Sequence, residues 1–182
     1  VPEDKAYRSR RFLDPGERLM RLIDQNRSER FSWLFPYLGI VGLGLLVYAR
    51  TLGFGFNYLD DNTLILDRQH WFRDPAYIFQ AFREDVFRSA SSDRFYYRPI
   101  LTASFLFDFR IGGIHPWIYR MTNLWLHLAS CCLAFKLLRT LGAAAASALF
   151  FSLILTVHPI FTQAVTWLPA RNESLLLLLQ SF

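Results

Sequence analysis

Long stretches without a single charge decide what this chain can fold into. Residues 31–49, 121–135 and 140–170 contain no Asp, Glu, Lys or Arg, and each is mostly apolar. A soluble domain interrupts such runs with polar residues on its outer face, whereas one helical crossing of a bilayer needs about 20 consecutive apolar residues. The expectation is therefore an all-α integral membrane protein. Hydrophobic residues make up 53% of the 182 positions and charged residues 19%, which excludes a disordered chain and gives no reason to expect a nucleic-acid partner. The net charge of +5 lies largely beside the spans, so it bears on orientation more than on partner choice. Cys131 and Cys132 are adjacent in an apolar run, a pattern that predicts neither a disulfide framework nor a zinc site.

The topology follows from where charge returns. Residues 1–31 carry Lys5, Arg8, Arg10, Arg11, Arg18, Arg21, Arg27 and Arg30, which by the positive-inside bias make a cytoplasmic basic arm. A first span is expected over 32–52, with Gly39, Gly42 and Gly44 offering close helix approach. Residues 53–116 then form a long external loop, within which Asp74 to Arg88 interleaves Ile78, Phe79, Phe82 and Phe87 with charge, as in a short amphipathic helix lying on the membrane. A second span over 117–139 returns inward, since Lys136 and Arg139 cluster at its end. The third, 143–157, goes outward to His158-Pro159, which opens a short external loop over 158–172. Residues 173–182 begin a fourth span, and a chain that opens on Val1 and stops at Phe182 reads as a piece of a longer one. The expected membrane is a bacterial inner membrane or the endoplasmic reticulum, with the N-terminus cytoplasmic.

Candidate chemistry gathers at the outer ends of these spans. Asp60 and Asp61 follow Phe56-Asn57-Tyr58-Leu59 a few residues beyond the first span. A carboxylate at a membrane surface against apolar neighbours can have a raised pKa, take a proton from an attacking hydroxyl, or bind a divalent metal beside a lipid phosphate. We assign the general-base role to Asp60 and an orienting or metal-related role to Asp61; a hydrated Asp-Asp-Asn turn is the plainer alternative. Arg98, after Phe95-Tyr96-Tyr97, suits phosphate because its donor fork stays charged, and equally suits an interfacial aromatic belt. Arg120, Asn123 and His127 share one face of the second span and are expected to turn toward protein, where interhelical hydrogen bonding suffices to explain Asn123 and His127. Asp108 and His115 are weaker candidates. His158, Arg171 and Glu173 frame the last external loop and would come near the acidic pair if the helices pack antiparallel.

Taken in order, Phe54 to Asp61 with Ile65, Tyr97-Arg98-Pro99-Ile100, Thr122-Asn123-Leu124 with His127, and His158-Pro159 through Trp167 to Arg171-Asn172-Glu173 resemble the GT-C glycosyltransferases. Within them the chain is most similar to the transmembrane and tetratricopeptide-repeat O-mannosyltransferase-like proteins, over most of residues 54–182. The resemblance implies a GT-C-like bundle, of which three to four transmembrane helices fall in this chain. It also implies an enzyme that moves a sugar, often mannose, from a polyprenyl-phosphate carrier to an acceptor on the non-cytoplasmic side. Asp60 would be the base or acceptor-orienting carboxylate. Arg98, His158, Arg171 and Glu173 would bind donor phosphate or substrate, with Asn123 and His127 in support. Partners would be membrane lipid and the lipid-linked sugar. The rival expectation is a non-catalytic accessory subunit packed against other membrane subunits through its aromatic faces.

Overall fold

The computed structural model describes residues 33–58, 60–83 and 97–180. The chain divides into two compact units, 1–38 and 39–182. In the first, the described residues Trp33 and Tyr37 meet edge to face at 6.1 Å. Apart from the opening turn of the first helix, everything below concerns the second unit. Among the described residues all regular structure is helical, with no strand.

Helix α1, Phe35–Tyr48, ends in a 3-10 turn, Ala49–Gly53. A π-helical turn, Asn62–Leu66, follows, and then the short helices α2, Gln69–Phe72, and α3, Tyr77–Ala81. Three longer helices come next: α4, Pro99–Gly112, α5, Pro116–Thr140, and α6, Ala145–Val157. The described part closes with α7, Pro159–Thr166, a 3-10 turn, Leu168–Ala170, and α8, Arg171–Gln180. Three helices open with proline, whose missing N–H coincides with a group that has no intrahelical partner in the first turn. At the end of α4, Gly113 adopts φ 61°, a left-handed conformation that costs a residue with a side chain about 1 kcal/mol or more.

Two helical segments, Phe35–Gly53 and Pro116–Thr140, are long and apolar enough to cross a membrane, and α6 with α7 makes a third if their 57° bend is counted as one broken span. Helix α5 is the hub, touching α4, α6, α7, α8 and the turn after α1. Tyr48, Leu124, Leu128 and Val165 form one core along it. Gly44 sets the approach of α1 there, because a Cβ at that position would lie 2.2 Å from Leu128 Cδ2 and 3.1 Å from Thr156 Cγ2. Gly44→Val is accordingly expected to lower stability by about 1–3 kcal/mol through overpacking, read as a drop in the thermal midpoint of the detergent-solubilised protein.

The structure departs from the sequence expectations at two places. Residues 53–116 are not an open loop with one amphipathic helix. Leu64, Ile65, Phe72, Tyr77, Leu101, Phe105, Leu106, Tyr119 and Leu168 close into a second core there, and α4 was not foreseen. Of the helix expected over 74–88, the described residues show α3, which buries Tyr77 and Ala81 and exposes Phe79, with Phe82 exposed just after it; residues 84–96 lie outside the described residues. The basic arm lies outside them as well. Residues 158–172, expected as a loop, are mostly helical. Helix α6 ends at Val157 with a bend at His158-Pro159, as expected, but Pro159 at once starts α7, which His158 caps: His158 Nδ1 accepts from Ile160 N–H at 3.2 Å.

Candidate functional site

The acidic pair stands where the chain leaves the turn after α1 and enters the second core. Asp61 is buried and Asp60 half-buried, so the adjacent carboxylates have different access to solvent. Asp61 Oδ2 accepts from Asn57 N–H at 2.8 Å, while Oδ1 meets no hydrogen-bond donor among the described residues. Burial raises the Asp61 carboxyl above its ordinary range. The Asn57 hydrogen bond and the Arg120 cation pull it back, and Asp60 adds to the rise.

Arg120, from the second turn of α5, is buried and fastens this segment to the bundle. Its Nε donates to Phe54 O at 2.9 Å, Nη2 to Gly55 O, and Nη1 to Thr166 O, at the end of α7, at 2.8 Å. The guanidinium also lies 5.7 Å from the centre of the Phe54 ring. One cation thereby holds the backbone on both sides of the junction.

One layer deeper lies a closed polar cluster. Arg171 and Asp108, both fully buried, are paired at 2.6 Å. Arg171 also donates through Nε to Asn123 Oδ1 at 2.6 Å, through Nη1 to Ser104 Oγ at 3.0 Å and through Nη2 to Tyr119 O at 2.8 Å, with its plane over Phe105 at 4.7 Å. Thr122 donates to Asp108 Oδ1 at 2.7 Å. Asn123 Nδ2 lies 3.3, 3.3 and 3.4 Å from the carbonyls of Ala164, Trp167 and Leu168. Burial of this kind is tolerated only because each charge is paired and hydrogen-bonded.

The structure thus sorts the sequence candidates. Arg171, expected to bind donor phosphate, has no exposed surface and spends its donors on the core, so its placement is that of a structural cation. His158 does not join the acidic pair. It borders an apolar groove of about 430 Å³ whose α5 lining, Ala134, Leu137 and Leu138, comes from the last turns of that helix, whereas Arg120 and the acidic segment meet its first turns. His127 lies inside the bundle, with Nε2 3.1 Å from Thr156 O and its ring 5.7 Å from that of Tyr48. Arg98 is half-buried at the start of α4, where its carbonyl accepts from Thr102 N–H at 3.2 Å. Glu173 is exposed in the first turn of α8, a favourable end of the helix dipole for a carboxylate. Sequence reasoning gave Arg120 no role and ranked Asp108 low. The available signal was that each is a charge set into or beside apolar sequence, which needs a partner inside the fold.

Among the described residues the acidic pair gathers no third His, Cys, Asp or Glu side chain, so a divalent ion held there would draw its remaining oxygens from a donor phosphate or water.

An all-helical membrane architecture with a carboxylate pair at the loop-to-bundle junction is what the fold and this geometry define. Curated homologues of the chain are the TMTC O-mannosyltransferases, members of the GT-C-like superfamily, at about 30% identity over most of its length. The protein O-mannosyl-transferase tmtc2 of Xenopus laevis is 33% identical over 134 residues, covering 72% of this chain and 16% of the relative. Its Mus musculus counterpart, TMTC2, is 32% identical over 133 residues, again 72% and 16%. The protein O-mannosyl-transferase Tmtc2 of Drosophila melanogaster is 28% identical over 151 residues, 81% of this chain and 16% of the relative. The chain spans about 16% of the length of these relatives. No family model matches it, and no solved structure does.

Proposed function

We propose that this chain is the acceptor-activating portion of a membrane glycosyltransferase that transfers a sugar, of which mannose is the first choice, from a polyprenyl-phosphate carrier to an acceptor hydroxyl on the non-cytoplasmic side. The observation that carries the reading is the unequal pair of carboxylates. Asp60 is accessible enough to meet a hydroxyl and take its proton as the acceptor oxygen bonds to the sugar C1 and the bond from C1 to the carrier phosphate breaks, releasing polyprenyl phosphate, while Asp61 is buried and tethered through Asn57, fixing the turn from which Asp60 projects. The names of the relatives support the reaction class. With the basic arm taken as cytoplasmic, one crossing by α1 puts the pair on the opposite side. Arg98 remains the candidate cation for the carrier phosphate.

The test uses the full-length protein in native membranes, with lipid-linked mannose as donor and transfer to protein acceptors as readout. Asp60→Asn and Asp61→Asn, made separately, are expected to lower transfer while leaving membrane insertion intact. Wild-type turnover in both variants would remove the carboxylates from the reaction and favour an accessory subunit instead.

A further inference from the structure

We propose that Arg120 is the positioning residue of the acidic pair, fixing the segment 54–61 against the end of α7 so that the carboxylates keep one geometry. This rests on the sugar-transfer reading above and deepens it. The chain of contacts is continuous. Arg120 donates to the carbonyls of Phe54 and Gly55, and two residues further on Asn57 N–H grips Asp61 Oδ2. The third donor reaches Thr166 O, so the anchor is shared with the broken helix pair α6–α7. Phe56 packs its ring on Tyr119 of the second core at 5.7 Å, but Gly55 and Tyr58 are exposed and Phe54 has half its surface open, so the backbone at Phe54 and Gly55 is held in place chiefly by this cation. A planar fork with several donors suits carbonyls that arrive from different directions, which a single apolar contact would not hold. The charged groups acting on Asp61 are Arg120 from α5 and Asp60 from its own turn, and Arg120 is the one of opposite sign. Asp61 thus receives geometry through Asn57 and charge compensation from the same guanidinium.

The experiment compares Arg120→Gln and Arg120→Lys in the full-length protein, checking first that each is monodisperse in detergent. Arg120→Gln is expected to lower kcat at least about tenfold with KM for the lipid-linked donor unchanged, as misplacement of a reacting group does. Arg120→Lys, which keeps the charge and can still donate to carbonyls, is expected to recover part of that loss. Combined with Asp61→Asn, Arg120→Gln is expected to add nothing further, because both act through one unit. Hydrogen exchange over residues 54–61 supplies an arm that needs no turnover: protection at Asn57 should fall in Arg120→Gln and return with lysine. A wild-type kcat in Arg120→Gln, additive losses with Asp61→Asn, or unchanged exchange at Asn57 would each overturn the proposal. Should Asn57 lose protection while Asp60→Asn and Asp61→Asn both keep full turnover, the anchoring stands and the sugar-transfer reading falls.

Discussion

Arg171→Met in the full-length protein is expected to destabilise it by about 3–5 kcal/mol, the range for breaking one side of a buried ion pair. The change strands Asp108, which has no exposed surface and whose remaining named partner is the Thr122 hydroxyl. It also removes the donors that satisfy Asn123 Oδ1, Ser104 Oγ and the Tyr119 carbonyl, so several buried acceptors lose their partner together. Asp108→Leu in the same molecule should restore much of the lost stability, since replacing both charges avoids an uncompensated one. The thermal midpoint of the solubilised protein, followed by loss of the monodisperse peak, reads both outcomes. A full-strength Arg171→Met protein with altered donor affinity would instead return Arg171 to the substrate-binding role expected from sequence.

Asp60→Asn is expected to do the opposite, leaving the thermal midpoint in place and lowering transfer about 10²–10⁴-fold, the usual contribution of a positioned base. Asp61→Asn should separate activity from stability further. Burial raises the Asp61 carboxyl above its ordinary value, so its ionised form opposes folding at neutral pH, and stability is gained as pH falls through the raised value. A neutral amide removes that penalty. Its thermal midpoint should therefore match or exceed that of the wild type near neutral pH while transfer falls, and the gain should vanish at acid pH, where the wild-type carboxyl is itself neutral. A midpoint that drops near neutral pH and recovers at acid pH would mean instead that Asp61 holds the fold together as an anion.

What could be read from the residue order was the part set by long apolar runs. The α5 helix was expected over 117–139 and runs Pro116–Thr140, because Pro116 suits a first helical position and Gly142, at φ 89°, breaks the chain after its end. The region between the first two spans was less legible. Pro99–Gly112 mixes Asp108 and Arg110 into apolar sequence, and its helical character comes from packing Leu101, Phe105 and Leu106 against Leu64, Ile65 and Tyr119, contacts that no local pattern announces. The break at His158-Pro159 was legible because proline ends or kinks a helix, and α6 does stop at Val157 with a 57° bend; that Pro159 also begins a helix depends on the cap formed by His158. At the site, the acidic pair was visible as a motif, but which aspartate is buried was not, because adjacent residues differ only once the turn at Asn62–Leu66 has formed. The pairing of Asp108 with Arg171 joins residues far apart in the chain and belongs to tertiary structure alone.

That pairing also constrains the order in which the molecule can be assembled. A guanidinium can be buried only once its counter-ion is in place, and α8 opens on the buried Arg171. Its counter-ion sits on α4, and its other acceptors sit on α4 and α5, all of which leave the ribosome earlier. The later segment therefore finds a neutralising cradle already built, and its integration becomes contingent on correct docking of the earlier ones. Folding of this region is in that sense self-checking: if α4 has failed to seat, α8 arrives with its charge unmatched and has no cradle to dock in.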